Sequence, residues 1–292
     1  MIVDAHLHVF TAHDDPHPRL VDELAPAERT APAEDLIAVQ DEAGVERAVL
    51  VPLGPEDDYV AEVRRAHPGR FAAIGVADDA MLGRVPDADP VERLRERVDA
   101  YGLAGIRLNH LGEPGVLVTD SPVFSVLEEL ERTGRVLWFY APPDQLPLLA
   151  GALAALPGLR VVLNHLGFCP TGMTVDEHGR PRIAPPIPPP TLPGVLSLAR
   201  FRQVHIMISG EYAFSAGEHP YEDLSPLVRQ LYGAYGADRL MWASDYPWTR
   251  DVPGYRRLLD LPRLHLPGLT EAELAAIRGG TALELFTDLW GD

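Results

Sequence analysis

The amino-acid sequence predicts an α/β protein: a single-domain (β/α)₈ barrel of the TIM type, with a long proline-rich loop after its sixth strand. Eight short apolar runs alternate with eight helical patterns along the 292 residues. The runs are almost continuously apolar, as is typical of parallel strands that are buried on both faces. A barrel of this kind needs roughly 250 residues. We therefore expect the whole chain, residues 1–292, to form one domain.

The predicted strands and helices alternate without interruption. The strands are predicted at residues 2–10, 48–53, 71–77, 105–111, 135–141, 159–166, 204–212 and 239–245. The helices are predicted at residues 32–43, 57–66, 90–101, 121–132, 145–156, 193–201, 223–235 and 271–285. A doubly wound open sheet is the rival fold. It usually carries a glycine-rich phosphate turn after its first strand, where this chain reads HLHVFTAHDD, so the barrel is favoured.

The segment between residues 167 and 193 has an unusual composition, with five prolines between positions 185 and 190. An insert of this length in a barrel is usually functional or mobile, and its prolines make it stiff. Because it follows the sixth strand, it would lie on the active-site face of a barrel. We expect a lid over the site or a contact between the subunits of a homodimer. A surface decoration is the alternative.

Charge and composition exclude several classes of function. The 25 lysines and arginines against 43 aspartates and glutamates give a net charge of −18, which repels nucleic acids and anionic membranes. Cys169 is the single cysteine, so neither an internal disulfide nor a four-thiolate zinc site can form. The N-terminus has no signal-peptide pattern, and no apolar run is long enough to span a membrane. We expect a cytoplasmic protein that acts on a small molecule.

His6 and His8 lie two residues apart on the first predicted strand, so their side chains share a face of that strand. Neutral imidazole is a common ligand of zinc-like metals. A pair of hydrogen-bonded histidines without metal is the alternative. Asp4 lies two residues before His6, on the same predicted face, and could orient a histidine ring by accepting a hydrogen bond from it.

Asp245 and His165 end the eighth and sixth predicted strands. A carboxylate after an apolar run is costly to bury unless it is paired or binds a metal. Asp245 could therefore be a metal ligand, a general base on water, or both. The alternatives are a turn or helix-cap role for Asp245, and a hydrogen-bonded core position for His165.

Five further residues are candidate substrate contacts. Arg107 ends the fourth strand and would need an anionic partner, either a substrate carboxylate or a structural salt bridge. Asn109 shares the face of Arg107 if the strand continues. Tyr140 and Glu211 end the fifth and seventh strands, and Trp248 follows the eighth. A surface salt bridge is the alternative for Glu211.

The order of these motifs resembles the amidohydrolase superfamily. The chain carries HLH, GIRL, NHLG, MISG, RLMWASDYP and GGTALELF in that order. The resemblance is to the amidohydrolase-2 group, in its branch of sugar-lactone and dicarboxylate-lactone hydrolases, and it extends over nearly the whole chain. It implies a barrel hydrolase with its site at the carboxyl ends of the strands. The matching site positions are His6, His8, His165 and Asp245.

The chain departs from the metal-bearing members of that family at several positions. Tyr140 stands near the position of a histidine ligand, and no lysine or glutamate ends the fourth strand, which argues against a binuclear centre. Met207 and Ala243 replace a lysine and a glycine. The resemblance implies one zinc-like divalent metal, or a site that works without metal. The metal ligands would be His6, His8 and Asp245, with water or His165 as the fourth.

The resemblance implies hydrolysis of a small cyclic ester, in which Asp245 takes a proton from the attacking water. Histidines, or a metal that they hold, would stabilise the oxyanion, and Arg107 would hold a substrate carboxylate or hydroxyl. The alternative is a metal-dependent, non-oxidative decarboxylase of a small aromatic or unsaturated acid. A third hypothesis is that the barrel has lost catalysis and serves as a binding protein.

Overall fold

Eight parallel strands form the centre of the protein in the computed structural model, which describes residues 1–14, 16–169, 172–183 and 185–290. Each strand pairs with the next, in the order β1, β2, β3, β4, β5, β6, β9 and β10. The strands are β1 (Val3–Leu7), β2 (Arg47–Leu50), β3 (Phe71–Val76), β4 (Gly105–Leu108), β5 (Val136–Phe139), β6 (Arg160–Leu163), β9 (Val204–Ile208) and β10 (Leu240–Trp242). This arrangement confirms the predicted (β/α)₈ barrel.

Helices connect the strands on the outside of the barrel. They are α1 (Ala33–Ala43), α2 (Asp58–Ala66), α3 (Pro90–Tyr101), α4 (Phe124–Arg132), α5 (Leu146–Ala155), α6 (Leu192–Ser197), α7 (Glu211–Phe214), α8 (Ser225–Tyr235), α9 (Tyr255–Leu258), α10 (Leu261–His265), α11 (Glu271–Ala275) and α12 (Thr281–Leu285). The last predicted helix is divided in two, because the backbone of Gly279 leaves the helical conformation. Within the described part of the chain, no helix is both long enough and apolar enough to cross a bilayer.

The long insert after β6 contains a two-stranded antiparallel hairpin. Its strands are β7 (Thr174–Val175) and β8 (Pro181–Arg182). Residues 170, 171 and 184 of the predicted 167–193 segment lie outside the described residues. The hairpin is anchored at its second strand, because the Arg182 guanidinium donates to the carbonyls of Tyr212 and Ser215.

Alternate residues along a strand belong to two separate apolar clusters. In β5, Val136 and Trp138 belong to the smaller cluster, and Leu137 and Phe139 to the larger one. The smaller cluster fills the inside of the barrel, and the larger one lies between strands and helices. In β4, Ile106 and Leu108 belong to the outer cluster. Arg107 therefore faces the barrel interior.

The first strand contains an irregularity that changes which side its residues face. The pairing register between β1 and β2 shifts between Asp4 and Leu7. The Asp4 carboxylate accepts from the backbone nitrogen of Ser244 and from the hydroxyl of Tyr255, each at 2.8 Å. The strict alternation predicted for this strand is therefore wrong. Asp4 holds the segment after β10 rather than a histidine ring.

The barrel closes where β1 meets the segment that follows β10. The Asp245 nitrogen donates to the His6 carbonyl at 3.0 Å, and the His8 nitrogen donates to the Tyr246 carbonyl at 2.7 Å. These bonds extend the pairing beyond the end of β10. The backbone from His6 to His8 is thus fixed directly to the backbone of Asp245 and Tyr246.

Candidate active site

Three histidines and one aspartate meet at the carboxyl end of the barrel. One oxygen of Asp245, Oδ1, lies 3.4 Å from His6 Nε2 and 3.7 Å from His8 Nε2. The other oxygen, Oδ2, lies 4.0 Å from His165 Nε2. All four side chains are buried. The structure therefore brings together four residues that are spread over most of the chain.

Asp245 and His165 do not end their strands as predicted; each follows its strand in a turn. Their φ angles are +57° and +41°, in the left-handed region that non-glycine residues rarely adopt. Such backbone strain is concentrated at functional sites, where it places side chains that regular strands cannot. Gly210 has a related role, since a Cβ there would lie 2.8 Å from His165 Nδ1.

The hydrogen bonds of the cluster leave specific atoms free. His8 Nδ1 lies 2.7 Å from the Val51 carbonyl and must donate to it, so its Nε2 keeps a lone pair towards Asp245. His165 Nδ1 bonds the Ser209 hydroxyl at 2.9 Å. The Tyr212 hydroxyl donates to Asp245 Oδ2 at 2.6 Å. Within the described residues, Asp245 Oδ1 and both ring nitrogens of His6 have no hydrogen-bond partner.

Burial sets the charges of the cluster. It lowers the pKa of His6, it lowers that of His165 to about 4, and with His6 nearby it lowers that of His8 to about 3. Burial alone would raise the pKa of Asp245, but the three histidines, charged in acid, hold that pKa well below its ordinary range. At neutral pH the site therefore holds three neutral imidazoles and one carboxylate.

This donor set fits a single divalent metal. Ligand atoms of His6, His165 and Asp245 all lie within 4.8 Å of one another. Bonds of about 2.1 Å in a tetrahedral zinc site put ligand atoms roughly 3.4 Å apart, close to the separation of His6 Nε2 from Asp245 Oδ1. Neutral imidazoles and an ionised carboxylate are the protonation states that a metal needs. The unpartnered atoms of His6 and Asp245 are the natural ligands, with His165 or His8 beside them.

A cavity of about 210 Å³ opens above the cluster. Three of the predicted substrate contacts, Arg107, Tyr140 and Trp248, lie in its wall. Burial lowers the pKa of Arg107, an effect that the nearby Tyr140 and Asp245 oppose. The wall is completed by His8, Leu20, Asp22, Leu24, Ala25, Leu53, His165, Met173, Pro181, Ile183, Gly210, Tyr212, Ala213, Phe214 and Asp245.

The structure places two other predicted contacts elsewhere. Asn109 is exposed and lines a different, shallow pocket, because β4 ends at Leu108 and the alternation stops there. Glu211 is buried at the start of α7, because the seventh strand ends earlier than predicted. Burial raises the pKa of Glu211 to about 7, and the nearby charge of Asp245 adds to this effect.

Residues of two loops cover the cavity, and the sequence pattern did not identify them as site residues. Leu20 and Leu24 come from the loop before α1, and Met173 and Ile183 come from the insert after β6. Arg29 joins the two loops, since it donates to the carbonyls of Leu24 at 2.8 Å and Gly179 at 2.6 Å. Its guanidinium also lies 4.7 Å from the centre of the Trp248 ring.

Tyr212 is the other important site residue, and the sequence pattern does not single it out. Its hydroxyl contacts Asp245 directly, yet the predicted seventh strand gave it no more weight than its neighbours. The signal that could have found it is the glycine at position 210, two residues after the end of β9 and directly before α7, where the φ angle is +73°.

Known proteins resemble this chain in sequence and in fold. L-fucono-1,5-lactonase of Burkholderia ambifaria is 32% identical over 111 residues, which are 37% of this chain and 33% of that enzyme. The match thus spans about a third of that relative's length. Among solved structures, an amidohydrolase of Burkholderia multivorans with bound zinc has a TM-score of 0.75 at 20% identity, covering 98% of this chain and 99% of that one.

Two further structures show how widely the fold is shared. The probable 2-pyrone-4,6-dicarboxylic acid hydrolase of Acinetobacter baumannii, solved with citric acid, has a TM-score of 0.72 at 21% identity, over 98% and 99% of the chains. The 5-carboxyvanillate decarboxylase of Sphingomonas paucimobilis has a TM-score of 0.62 at 17% identity, over 98% of both chains. The family model described as amidohydrolase matches residues 3–287, which include all four residues of the cluster. The chain therefore belongs to the amidohydrolase family.

Proposed function

We propose that the protein hydrolyses a small cyclic ester, a lactone. The observation that carries this proposal is the buried, ionised Asp245 carboxylate in the cavity wall, whose Oδ1 has no hydrogen-bond partner among the described residues. A carboxylate placed in this way can accept a proton from water. The lactonase among the sequence relatives supports the same reaction class.

The chemical step follows from the groups around Asp245. The Asp245 carboxylate accepts a proton from water as the water oxygen bonds to the lactone carbonyl carbon. The bond between that carbon and the ring oxygen then breaks, and the proton passes from Asp245 to the leaving ring oxygen. The product is one open-chain hydroxy acid, so all atoms of water and lactone are retained.

The other residues of the cavity bind and orient the substrate. Arg107 is the cation of the described wall, and it can hold the carbonyl oxygen or a carboxylate of the substrate. Tyr212 donates to Oδ2 and thereby fixes the orientation of the Asp245 carboxylate. A divalent metal on His6, His165 and Asp245 would supply polarisation of the carbonyl and a lower pKa for a bound water.

A panel of lactones tests the proposal by proton release at constant pH. We expect Asp245→Asn to reduce turnover by about 100-fold or more, because general-base catalysis contributes at least that much. Asp99→Asn is the matched control, since Asp99 is an exposed aspartate on α3. Equal activity of the Asp245→Asn variant and the wild type on every hydrolysed lactone would show that Asp245 is not the base.

The same experiment separates hydrolysis from decarboxylation. Aromatic and unsaturated acids are added to the panel, and carbon dioxide is measured together with proton release. Carbon dioxide release that stops on chelation, with no lactone turned over, would replace the lactonase proposal by the decarboxylase alternative.

A further inference from the structure

The cavity has a polar floor and an apolar cover. The charged groups Arg107 and Asp245 come from β4 and from the turn after β10, at the end of the barrel. Most of the residues above them are aliphatic or aromatic, and these come from loops and from the end of α7. They are Leu20, Leu24, Leu53, Met173, Ile183, Phe214 and Trp248. A ligand that fills this cavity therefore meets charge at one end and apolar surface at the other.

The positive charge available to a ligand is small. Of the described residues that line the cavity, Arg107 alone has a cationic side chain. Asp22 also lines the cavity and is exposed, and its carboxylate is held there by a 2.8 Å hydrogen bond from the Ala25 nitrogen. The whole chain carries a net charge of −18. A dianionic ligand would meet one cation, a nearby carboxylate and a repulsive overall field.

Hydroxyl-rich ligands also find few partners in the cover. A polyhydroxylated ring needs a hydrogen-bonding group for each hydroxyl that it buries, because an unpaired buried hydroxyl is costly. The leucines of the first loop and Ile183 of the insert offer none. Leu20 and Met173 are each 50% exposed, so apolar surface also faces solvent around the cavity, where an apolar ligand would cover it.

We propose, on the basis of the lactonase function above, that the substrate is a lactone with an apolar alkyl or aryl substituent and no more than one anionic group. The lactone ring lies over Asp245 and Arg107, and the substituent packs against the leucines and Ile183. Polyhydroxylated sugar lactones and dicarboxylated lactones are poor substrates of this site.

A series of six-membered lactones tests this substrate class with the ring size held constant. The probes are δ-valerolactone, δ-octalactone, δ-decalactone, D-glucono-1,5-lactone and 2-pyrone-4,6-dicarboxylate. Each methylene that is buried should raise kcat/KM about fourfold. We expect δ-octalactone, with its three-carbon chain, to exceed δ-valerolactone by roughly 50-fold if the whole chain is buried. The gluconolactone and the dicarboxylate should fall below both.

A variant of the cover shows where the preference arises. Ile183→Ser should reduce the ratio of δ-octalactone to δ-valerolactone activity several-fold, because it replaces apolar surface with a hydroxyl. Val116→Ser is the control, since Val116 is an apolar residue, 50% exposed, outside the cavity wall. An unchanged ratio in Ile183→Ser would show that the apolar cover does not cause the preference for an alkyl substituent.

Calorimetric binding of the same probes to Asp245→Asn separates the two proposals. If no lactone is hydrolysed by the wild type but δ-decalactone binds more tightly than D-glucono-1,5-lactone, the lactonase function fails and the apolar preference stands. If the wild type turns over D-glucono-1,5-lactone or the dicarboxylate faster than the alkyl lactones, the proposed substrate class is overturned. If no probe is turned over, tighter binding of either of these two compounds overturns it as well.

Discussion

Removing the Tyr212 hydroxyl should destabilise the protein measurably. This hydroxyl donates to Asp245 Oδ2 at 2.6 Å, and both residues are at most 3% exposed. A hydrogen bond to a charged group contributes about 1.5–3 kcal/mol, and water cannot replace the lost donor in a buried site. We therefore expect Tyr212→Phe to lower the free energy of unfolding at pH 7 by about 1.5–3 kcal/mol.

Tyr101→Phe provides the matched comparison. Its hydroxyl also donates to a carboxylate, that of Asp58, but at 3.4 Å and in an exposed position. Water replaces such a bond readily, so the change should be within about 0.5 kcal/mol. Urea unfolding, followed by circular dichroism, gives both values. If the two variants lose the same free energy, the Tyr212 hydroxyl does not stabilise the Asp245 carboxylate in the way proposed.

Three further predictions concern buried charge and metal. Asp57→Asn should lower the free energy of unfolding by about 3–5 kcal/mol, because it removes the carboxylate that lies 2.6 Å from the buried Arg97 guanidinium. A loss below about 1 kcal/mol would contradict this prediction. Burial raises the pKa of Glu211 from 4.5 to about 7. Folding therefore favours the protonated carboxyl group of Glu211. The stabilisation that this group gives to the folded state is complete below pH 4.5 and is lost as the pH rises through 7. The unfolding free energy of the wild type minus that of Glu211→Gln should fall by about 3 kcal/mol over that range, and a flat difference curve would refute the assignment. Elemental analysis should find about one divalent metal ion per chain. His6→Ala should reduce this metal content, and the control variant His13→Ala should not. Equal metal content in both variants would exclude His6 as a ligand.

The architecture was predictable because each strand carries its own apolar pattern. The eight predicted strands all overlap observed ones, since burial on both faces leaves a continuous apolar run that is easily recognised. Strand ends were less predictable. At Asn109 and Glu211 the chain leaves the strand earlier than the apolar pattern suggests, so strand alternation does not determine where either side chain points.

The polar cluster was partly predictable for a different reason. His6, His8, His165 and Asp245 are polar residues inside or just after apolar runs, where burial is costly without a purpose. The sequence could not show the register shift at Asp4, because it depends on pairing with β2 rather than on local pattern. Nor could it show that Leu20 and Ile183 cover the cavity, since loop conformation is set by distant contacts such as those of Arg29.

The bonds that close the barrel have a consequence for how the protein reaches its working state. The links from the Asp245 nitrogen to His6 and from the His8 nitrogen to Tyr246 join residues almost 240 positions apart. Contacts between such distant residues form late, because the intervening chain must first be ordered. During synthesis the ribosome must therefore release nearly all of the polypeptide before any reaction centre exists. Premature activity in a nascent chain is thereby avoided, and an N-terminal fragment ending before residue 245 would be inert.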